Sequence, residues 1–288
     1  MEVIELKPYG YCYGVLEAIK MIQEVKKKHL DKNVYVFGML VHNNDVVKYL
    51  NEQKIFTIDT SNINKEERLE KFTKDDVVVF TAHGHPKRYQ EILDKNGIIY
   101  YDATCKNVLK NMKLIKDYSN NYQIIYIGKT NHPETEACLS ISNNVVLYDI
   151  KNGMDYDKII SSKIVVTNQT TLSLLEIKKI HEDIKNRYPN AIFIDEICSQ
   201  TRVRQLNIIS SNENPDLVII IGSIQSSNTD KLFVLSKEKF KNAYVIKVEN
   251  LSDLRQHDFK KYKRCLITSG TSTPLNSILE IKEYLLGE

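Results

Sequence analysis

The 288-residue chain contains no apolar stretch of the length needed to cross a bilayer, and its opening, MEVIELKPYG, lacks the apolar core of a signal peptide. Both absences predict a cytoplasmic protein with no membrane partner. An excess of one charge is missing too: 40 Lys and Arg stand against 37 Asp and Glu, a formal net charge of +3. No long basic run with interleaved aromatics occurs, so a nucleic-acid partner is not expected and any anion site must be local. The absence of CxxC and CxxxCxxC argues against a zinc ribbon, a small ferredoxin and the usual radical-SAM motif. No low-complexity segment or Pro/Gly linker divides the chain, and without an amphipathic heptad run the expectation is a monomer.

Cysteine is scarce, at five residues, but its placement is informative. An odd count in a reducing compartment reads as thiols or metal ligands rather than a disulfide framework. Cys12, Cys105 and Cys198 are equally spaced along the chain, each at the junction between an expected strand and an expected helix. The pattern suggests a chain built in thirds, with one thiolate from each converging on a common centre. Cys265 lies inside an apolar run and Cys138 on an expected helix body, so both read as buried structural thiols.

Short β-rich runs alternate with helical stretches throughout, which predicts an α/β fold with mostly parallel sheets. Strands are expected at 3–6, 34–37, 55–58, 77–80, 98–101, 124–127, 145–148, 164–166, 191–194, 217–221, 244–248 and 265–268. Amphipathic helices are expected at 15–28, 172–186 and 277–286. The division is expected to give three similar small units: 14–103, 104–196, and 1–13 together with 197–288.

Open parallel sheets bind ligands beyond the carboxyl ends of their strands, and the polar motifs cluster there. In chain order they read Gly10-Tyr11-Cys12-Tyr13-Gly14, Val41-His42-Asn43, Ala82-His83-Gly84, Asp102-Ala103-Thr104-Cys105, Asn131-His132-Pro133-Glu134, Gln169-Thr170-Thr171, Ile197-Cys198, Gly222 through Asn228, and Ser269-Gly270-Thr271-Ser272. Taken in this order and over the whole chain, they resemble the 4-hydroxy-3-methylbut-2-enyl diphosphate reductase family, the last enzymes of the methylerythritol phosphate route to isoprenoids.

The resemblance implies three α/β units in pseudo-threefold arrangement around a central iron-sulfur cluster, and reductive removal of an allylic hydroxyl to give isopentenyl and dimethylallyl diphosphates. Cys12, Cys105 and Cys198 would then hold a [4Fe-4S] cluster with one open iron for the substrate hydroxyl. Glu134 is the proton donor so implied, with Thr170 and Thr171 positioning or relaying the proton. His42, His83 and His132 each follow a strand, and with Ser226, Ser227, Asn228 and Ser272 they are the candidate donors to the diphosphate. Ser226 to Asn228 open an expected helix and Ser272 precedes Pro274 at the start of the last one, so backbone N–H groups add to these side chains. His29, His181 and His257 lie on polar stretches, and His85 is expected at a loop surface. The electron donor would be a protein such as a ferredoxin or flavodoxin.

Several positions depart from the family's usual pattern: Lys106 replaces a proline after the second cysteine, Thr135 and Ala137 follow the His-Pro-Glu motif, and Asn168 replaces a threonine before Gln169. None removes a candidate ligand or acid. Two rival readings are a quinolinate-synthase-like cluster enzyme, which the His-Pro-Glu, Gln-Thr-Thr and Ser-Ser-Asn motifs disfavour, and a non-catalytic iron-sulfur sensor, which has no need of an acid beside an open iron.

Overall fold

A computed structural model describes residues 1–40, 44–259 and 261–287. Its strands are β1 (Glu2–Glu5), β2 (Asn33–Phe37), β3 (Ile55–Ile58), β4 (Asp76–Phe80), β5 (Ile99–Asp102), β6 (Gln123–Gly128), β7 (Val145–Asp149), β8 (Ile164–Asn168), β9 (Ile192–Phe193), β10 (Leu217–Ile221), β11 (Tyr244–Val248) and β12 (Arg264–Ser269). The helices are α1 (Tyr13–Lys28), α2 (Asn44–Glu52), α3 (Lys65–Glu70), α4 (Lys87–Lys95), α5 (Lys106–Tyr118), α6 (Pro133–Leu139), α7 (Leu174–Arg187), α8 (Ser199–Ser210), α9 (Ser227–Lys239), α10 (Leu251–Leu254) and α11 (Leu275–Gly287). Each expected strand is present, with small shifts at the ends; the least regular is β9, reduced to two residues.

The strands form three parallel four-stranded sheets, in the orders β3-β2-β4-β5, β7-β6-β8-β9 and β11-β10-β12-β1. The order is the same in each: second strand at the edge, then first, third and fourth. In the last sheet the chain's own first strand takes the fourth place. Parallel pairing requires a crossover between successive strands, and the helices supply it. The chain forms two compact units, one of Met1–Val15, Val41–Lys48 and Cys198–Glu288, the other of Leu16–Leu40 and Tyr49–Ile197. The first holds the sheet built on β10 and the second holds the other two. We propose 14–103, 104–196 and 1–13 with 197–288 as the repeating thirds, on the strength of the shared strand order.

Central strands are buried on both faces, which is why they read as unbroken apolar runs rather than as alternating ones. In β10, Leu217, Ile219 and Ile221 enter a core with Ile246, Ile267 and Ile278, while Val218 and Ile220 enter another with Leu232, Leu235 and Leu266. In β6, Ile125 and Ile127 face Val166 and Ile177, while Ile124 and Tyr126 face Ile115 and Cys138. Each such side chain contributes roughly 1.5–3 kcal/mol by leaving water. Among the described residues no helix is long and apolar enough to cross a membrane.

His85 corrects an expectation. It is not at a loop surface but buried, stacked on Phe80 with ring centroids 3.7 Å apart and bonded through Nε2 to the Gln90 amide at 3.0 Å. Burial pushes its pKa down, against the pull of Asp102. The apolar face of β4 claims the ring, an effect of packing that its polar neighbours in sequence did not announce.

Candidate active site

In the second unit the centre of the polar constellation is Glu134. Pro133 opens α6 with its ring-fixed φ and no N–H to lose, and Glu134 follows in the first turn. This acid does not face water: it is 1% exposed. Its Oε1 accepts from the Thr170 backbone N–H at 2.8 Å and from the Tyr126 hydroxyl at 3.3 Å, and its Oε2 accepts from the Thr170 hydroxyl at 2.8 Å. Burial raises its pKa to about 7, outweighing the opposing hydrogen bonds from Thr170, Tyr126 and Asn111. A carboxyl group with that pKa is in part protonated at neutral pH and so is equipped to give a proton.

That shift has a thermodynamic consequence. The native carboxyl, near 7, lies above its unfolded value of 4.5, so the folded chain binds the extra proton between them. The contribution to stability is complete below the unfolded value and is lost as pH rises through about 7, by on the order of 3 kcal/mol. Cluster-free Glu134→Gln is therefore expected to lack part of the wild-type fall in melting temperature between pH 4.5 and 7.5. Superimposable pH profiles of the two proteins would contradict the burial argument.

The neighbouring loops hold the other groups. Asn131 takes φ 64°, a left-handed conformation that Asn tolerates, and turns the chain into α6. The His132 Nδ1 accepts from the Glu134 backbone N–H at 3.2 Å and so caps the helix. An accepting Nδ1 leaves the ring's hydrogen on Nε2, which makes that nitrogen the donor of the neutral ring. His83 lies edge-on to His132, with centroids 5.8 Å apart. Gly84, at φ +84°, lets the His83 loop approach: a Cβ there would lie 3.1 Å from Val108 and 3.3 Å from Ala137. The Gln169 amide donates to the Thr171 hydroxyl at 2.8 Å and accepts from the Lys129 N–H at 3.0 Å, bracing the paired threonines. Expected donors His83 and His132 are thus brought together, as are Glu134 and Thr170. His42 lies outside the described residues.

The thiols sit on helix starts. Cys105 is the N-cap of α5 and Cys198 the N-cap of α8, and neither sulfur caps its helix. Ser, Thr, Asp and Asn are the residues favoured there, worth about 1 kcal/mol, so cysteine is a costly choice for the helix alone. The approach to both is the same: Asp102 accepts from the Thr104 N–H at 2.9 Å and Asp195 from the Ile197 N–H at 2.9 Å, each three residues before its cysteine. In the second unit, Cys105 N–H bonds the Ala82 carbonyl at 3.0 Å, linking the thiol's turn to the His83 loop.

In the first unit Cys12 and Cys198 face one another electrostatically, with Arg204 beside them. Burial raises the Cys12 pKa, against the pull of the Val15 and Gly14 N–H groups and of Arg204. The thiols of Cys12, Cys105 and Cys198 are half-buried, whereas Cys138 and Cys265 are fully buried, and none of the five is in a disulfide. Half-buried thiols at helix N-termini, with Arg204 beside Cys12 and Cys198, suit thiolate donors to iron. The donor chemistry therefore fits a cluster. Among the described residues no three His, Cys, Asp or Glu side chains are gathered as ligands of a metal ion.

Also in the first unit, Ser226 is the N-cap of α9, accepting from the Thr229 N–H at 3.4 Å, and Ser227 is the first helical residue. Capping and anion binding coexist at such a helix start. Asn228 is 3% exposed and bonded at both ends of its amide, donating to the Thr201 hydroxyl at 3.1 Å and accepting from the Thr271 N–H at 3.2 Å. It therefore braces the loop of Ser272, itself buried, against α8. Thr271 in turn accepts the Cys12 N–H at 2.9 Å.

Five buried residues in and around these networks were not nominated from sequence. Asn111 shares the buried stripe of α5 with Val108 and Ile115, and a lone amide on an apolar stripe was a readable signal. Gln169 stood within a motif. Tyr126 looked like an ordinary strand aromatic. Arg204 and Gln205 are 2% and 0% exposed on α8, while Val203 and Leu206 are 39% and 44% exposed, an inversion of the usual helix pattern.

Fold and side chains together define a class: a three-sheet parallel α/β protein with thiols at helix starts and a buried, half-titrated acid. The chain belongs to the LytB family, whose family model, described as "LytB protein", matches residues 3–286. It is 34% identical over 289 residues to a 4-hydroxy-3-methylbut-2-enyl diphosphate reductase of Bacillus subtilis, covering 99% of this chain and 90% of the relative. It is 34% identical over 299 residues to the reductase of that name from Malacoplasma penetrans, covering 100% and 99%. Among solved structures, it matches the E-1-hydroxy-2-methyl-but-2-enyl-4-diphosphate reductase of Plasmodium falciparum with a TM-score of 0.85 and 28% identity, covering 99% of this chain and 87% of that one. Family membership implies an iron-sulfur enzyme.

Proposed function

We infer that this chain is a 4-hydroxy-3-methylbut-2-enyl diphosphate reductase, giving isopentenyl and dimethylallyl diphosphates. The family and its full-length relatives support the activity. The observation that carries the chemistry is the Glu134 carboxyl, buried, bonded twice by Thr170 and held at a pKa of about 7. The reaction breaks an allylic C–O bond, consumes two electrons and two protons, and releases the oxygen as water.

Cys12, Cys105 and Cys198 would hold a [4Fe-4S] cluster with one iron lacking a protein ligand, which when bound supplies the electrons and a Lewis-acid position for the substrate hydroxyl. Glu134 protonates the departing oxygen, so that water rather than hydroxide leaves. Thr170 orients the carboxyl through both of its hydrogen bonds, and Thr171, fixed by Gln169, lies in the same loop. His42, His83 and His132, with Ser226, Ser227, Asn228 and Ser272, bind the diphosphate, and Asn228 also braces the Thr271–Ser272 loop. Two electrons enter singly from a ferredoxin or a flavodoxin.

Anaerobic reconstitution with iron and sulfide, followed by turnover with a reduced viologen, is the test. The expected result is both diphosphate products and a four-iron Mössbauer spectrum in which one iron shifts on adding 4-hydroxy-3-methylbut-2-enyl diphosphate. A loaded cluster indifferent to that ligand, with no turnover, would overturn the reading.

A further inference from the structure

Arg204 is the least explained charge in the first unit. Its side chain is 2% exposed, and a guanidinium stays protonated in any protein environment. Each hydrogen bond it makes ends on a neutral acceptor: the Gly10 carbonyl at 2.8 Å, the Gln200 carbonyl at 3.1 Å and the Gln200 side-chain oxygen at 3.2 Å. Its Nε is buried without a partner. Among the described residues no carboxylate pairs with it; the titratable groups that act on it are the Cys12 and Cys198 thiols. A buried, uncompensated cation is costly, and α8 exposes Val203 and Leu206 in order to bury this one. The arrangement makes electrostatic sense once the two thiols carry negative charge.

We propose that Arg204 is a positioning residue that supplies the counter-charge to the Cys12 and Cys198 thiolates and raises the reduction potential of the cluster they hold. The inference rests on the cluster reading above. Reduction adds a negative charge to the centre, and a fixed positive charge in a low-dielectric setting favours the reduced form. The bond to the Gly10 carbonyl aims the guanidinium, since Gly10 lies on the loop that leads to Cys12.

The test is an EPR-monitored potentiometric titration of the reconstituted holoprotein as wild type, Arg204→Gln and Arg204→Lys. Arg204→Gln is expected to shift the oxidised-to-reduced equilibrium at least tenfold toward the oxidised form, about 59 mV per tenfold for one electron. Arg204→Lys, which keeps the charge, should stay within about threefold of wild type. A loaded Arg204→Gln cluster with the wild-type potential overturns the proposal and leaves Arg204 as a mechanical staple between α8 and the Gly10 loop. If Arg204→Gln takes up no iron, Arg204→Lys decides: loading supports the charge requirement, and failure of both assigns the role to the guanidinium's hydrogen bonds instead. A wild-type protein that binds no iron overturns the cluster reading and this inference together, an outcome distinct from unchanged potentials in loaded variants.

Discussion

Glu134→Gln is expected to lower turnover by about 100- to 10,000-fold while leaving iron content and the fold intact, the range for removal of a positioned general acid. The amide is nearly isosteric with the carboxyl it replaces. Its oxygen can still accept from the Thr170 N–H, and its NH2 can donate to the Thr170 hydroxyl once that hydroxyl turns to accept, so the local geometry has no reason to collapse. What is lost is the transferable proton. In the wild-type protein the same assignment predicts a pH dependence: with the carboxyl titrating near 7, turnover should decline as pH rises above that value because the acid form is depleted. The measurement is turnover with a reduced viologen from pH 6 to pH 9, beside iron analysis of both proteins. A Glu134→Gln enzyme that kept its cluster and near-full turnover would remove Glu134 from the chemistry.

Serine in place of Cys105 or Cys198 should abolish the cluster and with it all turnover, because a hydroxyl is a poor substitute for a thiolate toward iron and only three cysteines are available for the task. The same substitution should leave the cluster-free fold as stable as wild type or up to about 1 kcal/mol more so, since both positions are N-caps whose sulfur makes no capping bond and serine is a preferred cap. Cys265→Ser makes the opposite prediction. That side chain is 0% exposed in an apolar core, and a buried hydroxyl there should cost about 1–3 kcal/mol while iron content stays at the wild-type level. Iron analysis and thermal melts of the three variants separate the two classes. Intact cluster assembly in Cys105→Ser would exclude that thiol as a ligand.

The departures from the family pattern acquire physical roles in the fold. Asn168 is fully buried; its amide donates to the Gln169 carbonyl at 3.1 Å and its oxygen accepts from the Glu196 N–H at 3.3 Å. It therefore ties the Gln-Thr-Thr loop to the segment approaching the third cysteine. Thr135 donates to the Gln169 side chain at 3.4 Å, and Ala137 offers the small surface against which Gly84 packs. Nothing in the structure explains Lys106 in place of proline.

Much of this is legible in the amino-acid sequence. Apolar-rich runs of three to five residues located the strands, most plainly the central ones, because a parallel strand buried on both faces is apolar at nearly every position, and β10 is buried throughout. The cysteines at strand ends, the His-Pro-Glu turn and the paired threonines are local patterns, set by neighbours in the chain. What composition and period left unmarked were properties that depend on residues far away. Glu134 reads as an ordinary first-turn acid until Tyr126 and Thr170 close over it and burial lifts its pKa. His85 reads as surface until the face of Phe80 covers it, and nothing in the sequence singles out Arg204 until α8 turns it inward. Periodicity is written by the burial of whole faces and survives in one dimension; the desolvation of a single polar group depends on what packs against it from other elements, and only the folded chain brings those elements together.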